Sequence, residues 1–510
     1  MSRGRTPSYR TSLQAPPFVM RARRIRFAPV VHWKLDSIGA SAVETSTTSS
    51  TISRSSSSPS EPRGRQGRKI RTTAKSRSGC RECKRRRVKC DETFPVCLRC
   101  QRSGAVCCPM PRLDQWQFEV PGIASTGPQF DQGVVHHGSH INRKLLQVWF
   151  QTTSRIMVSE HDWNPLSLPL LHYCTASSAL VHAVQSIAAG YQEFFRTSQL
   201  VLSLEERSKA FAALRSELAT GQASLVACFF SAYLLGLSST YIDGQVFDYG
   251  KEHFLAARHM LLSILSDEAL STETTGFLIG AFVYWDMTCS ALFDPLDGPF
   301  LDDSLIHQHA WEVAANRHPI TGLCTTLFSL LGNIGRHCRA VVEIHAGDPA
   351  IELQYEQALL KWQADQVDAV WELTADAFRS HGLIMLYRIC GRQSRFIDDI
   401  QIYTDVETEA LIRGYALATI KNFAQIPLTS ELVALQPLPL LTAGAELLEG
   451  DLELRSWVIA RFRALFSFNR LPASLHAVKL LEELWELRDK GETTSWLELM
   501  LRKNWRLRLG

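Results

Sequence analysis

The sequence lacks the features that would indicate a membrane protein or a common type of enzyme. No uninterrupted apolar run reaches the ~20 residues that a membrane-spanning helix needs. There is no Gly-rich phosphate loop, no GxSxG or HExxH motif, and no group of carboxylates at catalytic or calcium-loop spacing. Strict alternation of apolar and polar residues, which is typical of half-buried strands, is also not found. The sequence therefore favours a helical, non-catalytic protein.

Cysteine is sparse over most of the chain. Outside residues 80–108 it occurs six times, as single residues among apolar neighbours: Cys174, Cys228, Cys289, Cys324, Cys338 and Cys390. Free cysteine is among the most buried residue types. We expect these six to be buried, reduced thiols, as suits an intracellular protein.

Acidic residues are scarce near the N-terminus, where none occurs before Asp36. Residues 1–112 contain 25 Lys and Arg against 6 Asp and Glu, whereas the remainder contains 30 against 45. This asymmetry predicts nucleic-acid binding at one end only. An Arg-rich and Ser-rich start can also mimic a mitochondrial transit peptide, but a solvated basic arm is favoured. The basic run from Arg63 to Arg77 is interpreted as a nuclear import signal and a phosphate-contacting arm.

Seven cysteines fall between Cys80 and Cys108, and six of them follow the spacing C-x2-C-x6-C-x6-C-x2-C-x6-C. Each half is a CxxC pair followed by a single cysteine, so the spacing predicts a pseudo-twofold unit. Zinc prefers four thiolates in a tetrahedron. Six thiolates complete two tetrahedra only if two are shared, and the near-repeat of the halves suggests one bridging cysteine from each. A disulfide scaffold would need an oxidising compartment, and no secretory signal is visible.

This stretch resembles the binuclear Zn2Cys6 cluster of fungal transcription factors. The resemblance implies two Zn²⁺ ions, bridged by Cys80 and Cys97, and it matches the family's loop proline with Pro95. Cys107 keeps the family spacing, so Cys108 is interpreted as a bystander. The implied metal ligands are Cys80, Cys83, Cys90, Cys97, Cys100 and Cys107.

The basic residues within the cluster point to duplex DNA as the partner. A helix starting after Cys83 would project the run from Lys84 to Lys89 outward. In the family, the residue four positions after the second cysteine reads a CGG-type triplet; here it is Arg87, with Arg86 beside it. Arginine is competent to bind guanine O6 and N7 in the major groove. The residues assigned mainly to phosphates are Lys84, Arg85, Lys89, Arg99 and Arg102.

Composition divides the chain into four parts: a disordered basic and Ser-rich region (1–77), the zinc cluster (78–108), a linker (109–140) and an all-helical domain (141–510). The linker contains Pro and Gly but no heptad repeat, so a coiled-coil dimer is not expected. In the last part, apolar residues recur at helical spacing with few breaks. Clear examples are Ala179–Ala189, Leu225–Leu237, Ala375–Tyr387 and Glu407–Asn422. The expected fold class is a small zinc module plus a large all-α domain.

Several segments of this part resemble the helical regulatory domain of fungal Zn2Cys6 factors: Pro165–Leu180, His253–Leu262, Pro439–Ala445 and Leu480–Arg488. The resemblance implies a nuclear, sequence-specific regulator of RNA polymerase II transcription, with double-stranded DNA and transcriptional co-regulators as partners. The alternative is a helical interaction scaffold whose zinc module does not read DNA sequence.

Overall fold

The structure, a computed structural model, describes residues 79–93, 96–107, 141–160, 163–192, 197–240, 248–266, 272–297, 304–314, 316–363, 368–391 and 405–510. The predicted disordered region, the linker, Pro95 and Cys108 lie outside these residues.

The described residues form helices joined by turns, and no strand occurs among them beyond an isolated bridge between His318 and Gly322. The helices are α1 (Arg81–Arg85), α2 (Leu98–Arg102), α3 (Arg143–Val148), α4 (Ser154–Ile156), α5 (Leu170–Cys174), α6 (Ser178–Gln192), α7 (Thr197–Thr220), α8 (Leu225–Ser238), α9 (Lys251–Leu265), α10 (Thr272–Cys289), α11 (Ser304–Val313), α12 (Thr325–Ile344), α13 (Pro349–Lys361), α14 (Ala369–Ile389), α15 (Asp405–Gln425), α16 (Pro437–Ala445), α17 (Leu452–Asn469), α18 (Ala473–Asp489) and α19 (Trp496–Arg502). A π-helical turn (Trp149–Thr153) links α3 to α4, and short 3-10 segments cover Ser290–Leu292, Pro295–Asp297 and Glu431–Leu435. The predicted fold class is confirmed.

Residues from Leu145 to Leu509 share one hydrophobic core. Neighbouring helices pack in pairs, such as α6 with α7, α8 with α9, and α14 with α15. Helix α8 was predicted to be interior because it is apolar nearly all round, and almost all of its side chains are buried. The end of the chain belongs to the same core, since Leu507 and Leu509 are buried after α19. None of the helices described is both long enough and apolar enough to pass through a bilayer.

Helix α7 was not predicted, because the stripe that it buries is largely polar. Ser203, Glu206 and Glu217 are buried along with Ala210 and Leu214, at helical spacing. Glu206 accepts a hydrogen bond from Gln185 on α6 at 2.6 Å and lies 2.7 Å from His182 Nδ1. Glu217 accepts from Ser177 at 2.7 Å and from the Ala179 amide at 3.0 Å, next to the start of α6. Hydrogen bonds accepted by these two carboxylates therefore replace apolar contacts along much of the α6–α7 interface.

The buried His318 holds the chain between α11 and α12 against α10. Its Nε2–H donates to the Phe277 carbonyl at 3.0 Å, and its Nδ1 accepts from the amides of Ile320 and Thr321, both at 3.1 Å. The ring also stacks on Phe277, and a Cβ on Gly280 would lie 2.6 Å from it. Both ring nitrogens are thus satisfied only in the neutral form, because a proton on Nδ1 would face two N–H donors.

We expect the helical domain to lose stability in mild acid through His318. Burial lowers the pKa of His318 to about 4 from an ordinary value of 6.5. The pKa of His318 is lower in the folded state than in the unfolded state. The contribution of the neutral ring to the free energy of unfolding is therefore complete above pH 6.5 and is lost as the pH falls toward 4. The free energy of unfolding should therefore fall between pH 7 and pH 4 in both proteins. The fall should be larger in the unmodified protein than in His318→Gln, by about 3 kcal/mol.

Urea unfolding followed by helical circular dichroism across this pH range measures the difference. His259→Gln is the matched control, because His259 is exposed. If His318→Gln loses stability with pH as steeply as the unmodified protein, the buried neutral histidine is not the source of the effect.

Candidate metal centre and nucleic-acid interface

Each CxxC pair lies on the first turn of a short helix. Cys80 is the N-cap of α1 and Cys97 is the N-cap of α2. Their sulfurs accept hydrogen bonds from the amides of Cys83 at 3.3 Å and Cys100 at 3.4 Å. The amides of Cys80 and Cys97 in turn donate to Cys90 Sγ and Cys107 Sγ, both at 3.4 Å. The two halves of the cluster module (residues 79–107) therefore repeat the same local geometry, as the spacing predicted.

The six sulfurs form two sets of four that share two members. One set contains Cys80, Cys83, Cys90 and Cys97, and the other contains Cys80, Cys97, Cys100 and Cys107. Sulfurs about 2.3 Å from a tetrahedral zinc are about 3.8 Å from one another. The Sγ–Sγ distances match this edge: 3.8 Å for Cys80–Cys97, 3.7 Å for Cys80–Cys100 and 3.7 Å for Cys83–Cys97. The geometry thus fits a binuclear site with Cys80 and Cys97 common to both halves.

The six cysteines are buried, and their sulfurs affect one another's ionisation: hydrogen bonding with Cys100 and Cys107 lowers the pKa of the Cys80 thiol. Burial raises the pKa of the Cys83 thiol, and hydrogen bonding with Cys107 and Cys80 raises that of Cys100. Zinc binds thiolates, so two divalent ions would offset the mutual repulsion of the sulfurs. Apart from the cysteines, Val96 is the one hydrophobic residue fully buried in the described part of the module. The module's cofactor is two zinc ions, and their binding supplies most of its folding free energy.

The basic helix begins earlier and ends earlier than the sequence predicted. We expected it to start after Cys83, but Cys80 caps it, and α1 spans Arg81–Arg85. The amides of Arg87 and Val88 donate to the carbonyls of Lys84 and Cys83 at 3.1 Å and 3.0 Å. This is a Schellman termination, whose penultimate residue adopts a left-handed conformation. Arg87 and Lys89 therefore lie beyond the helix.

The second half ends in the same way but with a different residue. Gly104 and Ala105 donate to the carbonyls of Gln101 and Cys100 at 3.2 Å and 3.0 Å. Gly104 has φ 59°, and Arg87, at the equivalent position of the first half, has φ 56°. Glycine adopts this conformation freely, whereas a residue with a Cβ is strained there by about 1 kcal/mol. The strain marks Arg87 as a candidate functional residue.

Asp91 is a structural residue of the module that sequence reasoning missed. Its carboxylate accepts from the amides of Leu98 at 2.8 Å and Arg99 at 3.0 Å, which are first-turn donors of α2. Partial burial acts to raise the pKa of Asp91, but hydrogen bonds from Thr93 and from these amides lower it to about 2. Asp91 thereby ties the end of the first half to the helix of the second. Its acidic character directly after Cys90 is the signal that could have identified it.

All seven residues predicted to contact DNA are exposed, as DNA contact requires, and Arg85 and Arg86 also make contacts within the module. Arg85 donates to Glu82 from Nε at 2.8 Å and from Nη2 at 2.7 Å. Arg86 donates to Ser103 Oγ at 2.8 Å and so joins the two halves. The module has eight Lys and Arg against three Asp and Glu, which gives it a strongly positive surface.

A buried hydrogen bond joins the module to the helical domain. The Cys107 amide donates to Ser467 Oγ on α17 at 2.9 Å, and Ser467 Oγ donates to the Arg463 carbonyl at 2.9 Å. Both Cys107 and Ser467 are buried. The last cysteine of the second sulfur set is therefore held from outside the module.

Comparison with known families covers most of the chain. Residues 78–117 match the family described as the fungal Zn(2)-Cys(6) binuclear cluster domain, and residues 144–510 match the fungal specific transcription factor domain. No solved structure matches the chain.

Comparison with curated proteins gives shorter matches. A Zn(2)-C6 fungal-type transcription factor of Aspergillus fumigatus, afumD, is 34% identical over 121 residues, which are 22% of this chain and 32% of the relative. The lysine biosynthesis regulatory protein LYS14 of Saccharomyces cerevisiae is 62% identical over 32 residues, 6% of this chain and 4% of the relative. A Zn(2)-C6 fungal-type transcription factor of Gibberella zeae is 51% identical over 37 residues, 7% of this chain and 8% of the relative. The matched segments thus span about a third or less of these relatives.

Proposed function

Because the chain belongs to the fungal Zn(2)-Cys(6) transcription factors that carry the fungal specific transcription factor domain, we propose that it regulates RNA polymerase II transcription in the nucleus by sequence-specific binding to duplex DNA. The observation that carries the proposal is the pair of four-sulfur sets that hold a strongly basic, exposed turn. A protein-binding zinc module has no need of that charge, so the observation favours a DNA reader over an interaction scaffold.

The proposed ligands of one zinc ion are Cys80, Cys83, Cys90 and Cys97, and those of the other are Cys80, Cys97, Cys100 and Cys107. The Sγ–Sγ distances of 3.7–3.8 Å support this assignment. Bound zinc would hold each set of four sulfurs rigidly together. The chain then fixes the exit of α1, where Arg87 lies.

Arg87 is the proposed base reader, with Arg86 beside it, and the preferred site is a CGG-type triplet in the major groove. The left-handed turn places Arg87 past the helix end, and Schellman hydrogen bonds on both sides fix its backbone. A guanidinium held in this way can bind guanine O6 and N7 together. Lys84, Arg85, Lys89, Arg99 and Arg102 contact phosphates, which supplies affinity and register.

Selection of bound duplexes from a random pool, using the full zinc-loaded chain, tests the proposal. We expect CGG-type triplets to be enriched and the affinity to fall steeply with salt. A pool with no enriched triplet would support the scaffold and contradict the proposal.

Arg87→Gly is expected to weaken discrimination between the selected triplet and a mismatched one by about 1–3 kcal/mol. Glycine suits the left-handed conformation, as Gly104 does, so the cluster should keep its fold while losing the guanidinium. Fluorescence anisotropy with both duplexes over a series of salt concentrations measures the effect.

Lys89→Ala is the matched control for Arg87→Gly. Lys89 is a proposed phosphate contact, so its removal should reduce the slope of log affinity against log salt concentration by about one. Triplet preference should stay unchanged. If Arg87→Gly changes the salt slope alone, Arg87 contacts phosphate and another residue reads the bases.

A further inference from the structure

Three potential metal ligands from three helices converge inside the helical domain, remote in sequence from the cluster module. His337 lies on α12, Glu352 lies on α13, and Cys390 is the C-terminal cap of α14. One donor atom from each side chain lies within 4.8 Å of the other two. His337 Nε2 is 3.0 Å from Glu352 Oε1. The sequence predicted Cys338 and Cys390 to be buried thiols; Cys338 is buried, but Cys390 is only partly buried.

The three donors lie close enough together to share one metal ion, unlike the two ends of a linear relay that activates a thiol. In a linear cysteine–histidine–carboxylate relay, the ring separates sulfur from carboxylate, because each partner takes a different ring nitrogen. Here the sulfur lies within 4.8 Å of the carboxylate oxygen as well as of a ring nitrogen. The donors therefore surround a common point, and two of them are anionic when they act as ligands.

Other contacts hold these side chains in place. Glu352 Oε1 also accepts from the Asp348 amide at 3.2 Å, at the start of α13. The edge of the His337 ring meets Tyr355, with ring centroids 5.8 Å apart. The His337 and Glu352 side chains are 10% and 6% exposed, so both are shielded from bulk water yet close to the surface. Outer contacts of this kind fix ligand orientation in metal sites.

We propose that His337, Glu352 and Cys390 bind a further divalent ion of the zinc type. Imidazole nitrogen, carboxylate oxygen and thiolate sulfur are the ligands that zinc takes from proteins. Three protein ligands leave one tetrahedral position for water or another donor, as in zinc sites that are not purely structural. The ion would fasten α12, α13 and α14 together, so zinc binding would change the stability of the helical domain independently of the cluster.

The test uses the full-length protein carrying Cys80→Ala, which is designed to lack the cluster ions. After equilibrium dialysis against zinc, this protein should retain one equivalent per chain. Adding Cys390→Ala or His337→Ala should abolish it, whereas adding Cys228→Ala, which removes a buried thiol elsewhere in the domain, should not. Circular dichroism of each variant verifies that the helices are intact, and His337→Ala serves as the ligand variant if Cys390→Ala unfolds.

Two results would overturn the site. One is the absence of retained zinc in Cys80→Ala alone. The other is retention of the ion by a folded protein that also lacks the Cys390 thiol or the His337 ring, which would place the remaining zinc elsewhere. Neither result bears on whether the intact cluster reads DNA.

Discussion

Replacing Cys80 by alanine is expected to remove two zinc equivalents from the protein, whereas replacing Cys83 removes one. Cys80 belongs to both four-sulfur sets, so its loss leaves three sulfurs in each. Cys83 belongs to one set, and its loss leaves the other complete. Without both ions the module has almost no apolar core to keep it folded. Specific DNA affinity should therefore fall to the non-specific level, by about 10³-fold or more.

Metal analysis of dialysed protein, together with DNA titration, measures both effects. Cys97→Ala should reproduce Cys80→Ala, because Cys97 is the other shared residue. Cys108→Ala should keep full zinc content and is the matched control, since a neighbouring thiol is removed without removing a ligand. Loss of less than two equivalents in Cys80→Ala would show that Cys80 does not bridge the ions.

Replacing Glu446 by alanine is expected to destabilise the helical domain by about 3–5 kcal/mol. The side chain is 3% exposed, and it accepts hydrogen bonds from Arg388 on α14 at 2.6 Å and from Arg488 on α18 at 2.8 Å. Without this carboxylate, two largely buried guanidinium groups would face each other. Arg388 would keep Glu409, at 2.8 Å, whose side chain is more exposed.

Asp376→Ala provides the comparison for Glu446→Ala. It removes a carboxylate that pairs with Arg379 at 2.8 Å, and both side chains are more than a third exposed. Exposed ion pairs of this kind contribute about 0–1 kcal/mol to the free energy of unfolding. Urea midpoints of helical circular dichroism give both values. A Glu446→Ala protein as stable as Asp376→Ala would mean that the buried guanidinium groups find other partners.

The sequence was sufficient to predict the cluster because its geometry is encoded locally. Two residues separate the members of each CxxC pair, so one helical turn brings the sulfurs of Cys80 and Cys83 together whatever surrounds them. The long helices of residues 141–510 were also predictable wherever their buried stripes are apolar, as in α8.

Features that depend on partners distant in sequence could not be predicted in this way. The buried face of α7 contains Glu206 and Glu217. Glutamates in a sequence are normally expected to be solvent-exposed, and their burial here depends on hydrogen-bond donors on and beside α6. The sequence-based prediction placed the end of α1 too far along the chain. A run of arginines has good helix propensity, and nothing in it indicates that one of them adopts a left-handed conformation. The convergence of His337, Glu352 and Cys390 joins three helices, and no local pattern connects them.

The left-handed turns at Arg87 and Gly104 make the two halves of the cluster alike in shape but unlike in what they present. One turn offers a guanidinium, and its counterpart offers no side chain at all. Under the proposed role of Arg87 as base reader, the pseudo-twofold axis is not a functional symmetry, and one polypeptide presents one such base-reading turn to a duplex. A target composed of two such triplets would need two polypeptides, and their separation along the DNA would be set by whatever joins the polypeptides rather than by the cluster.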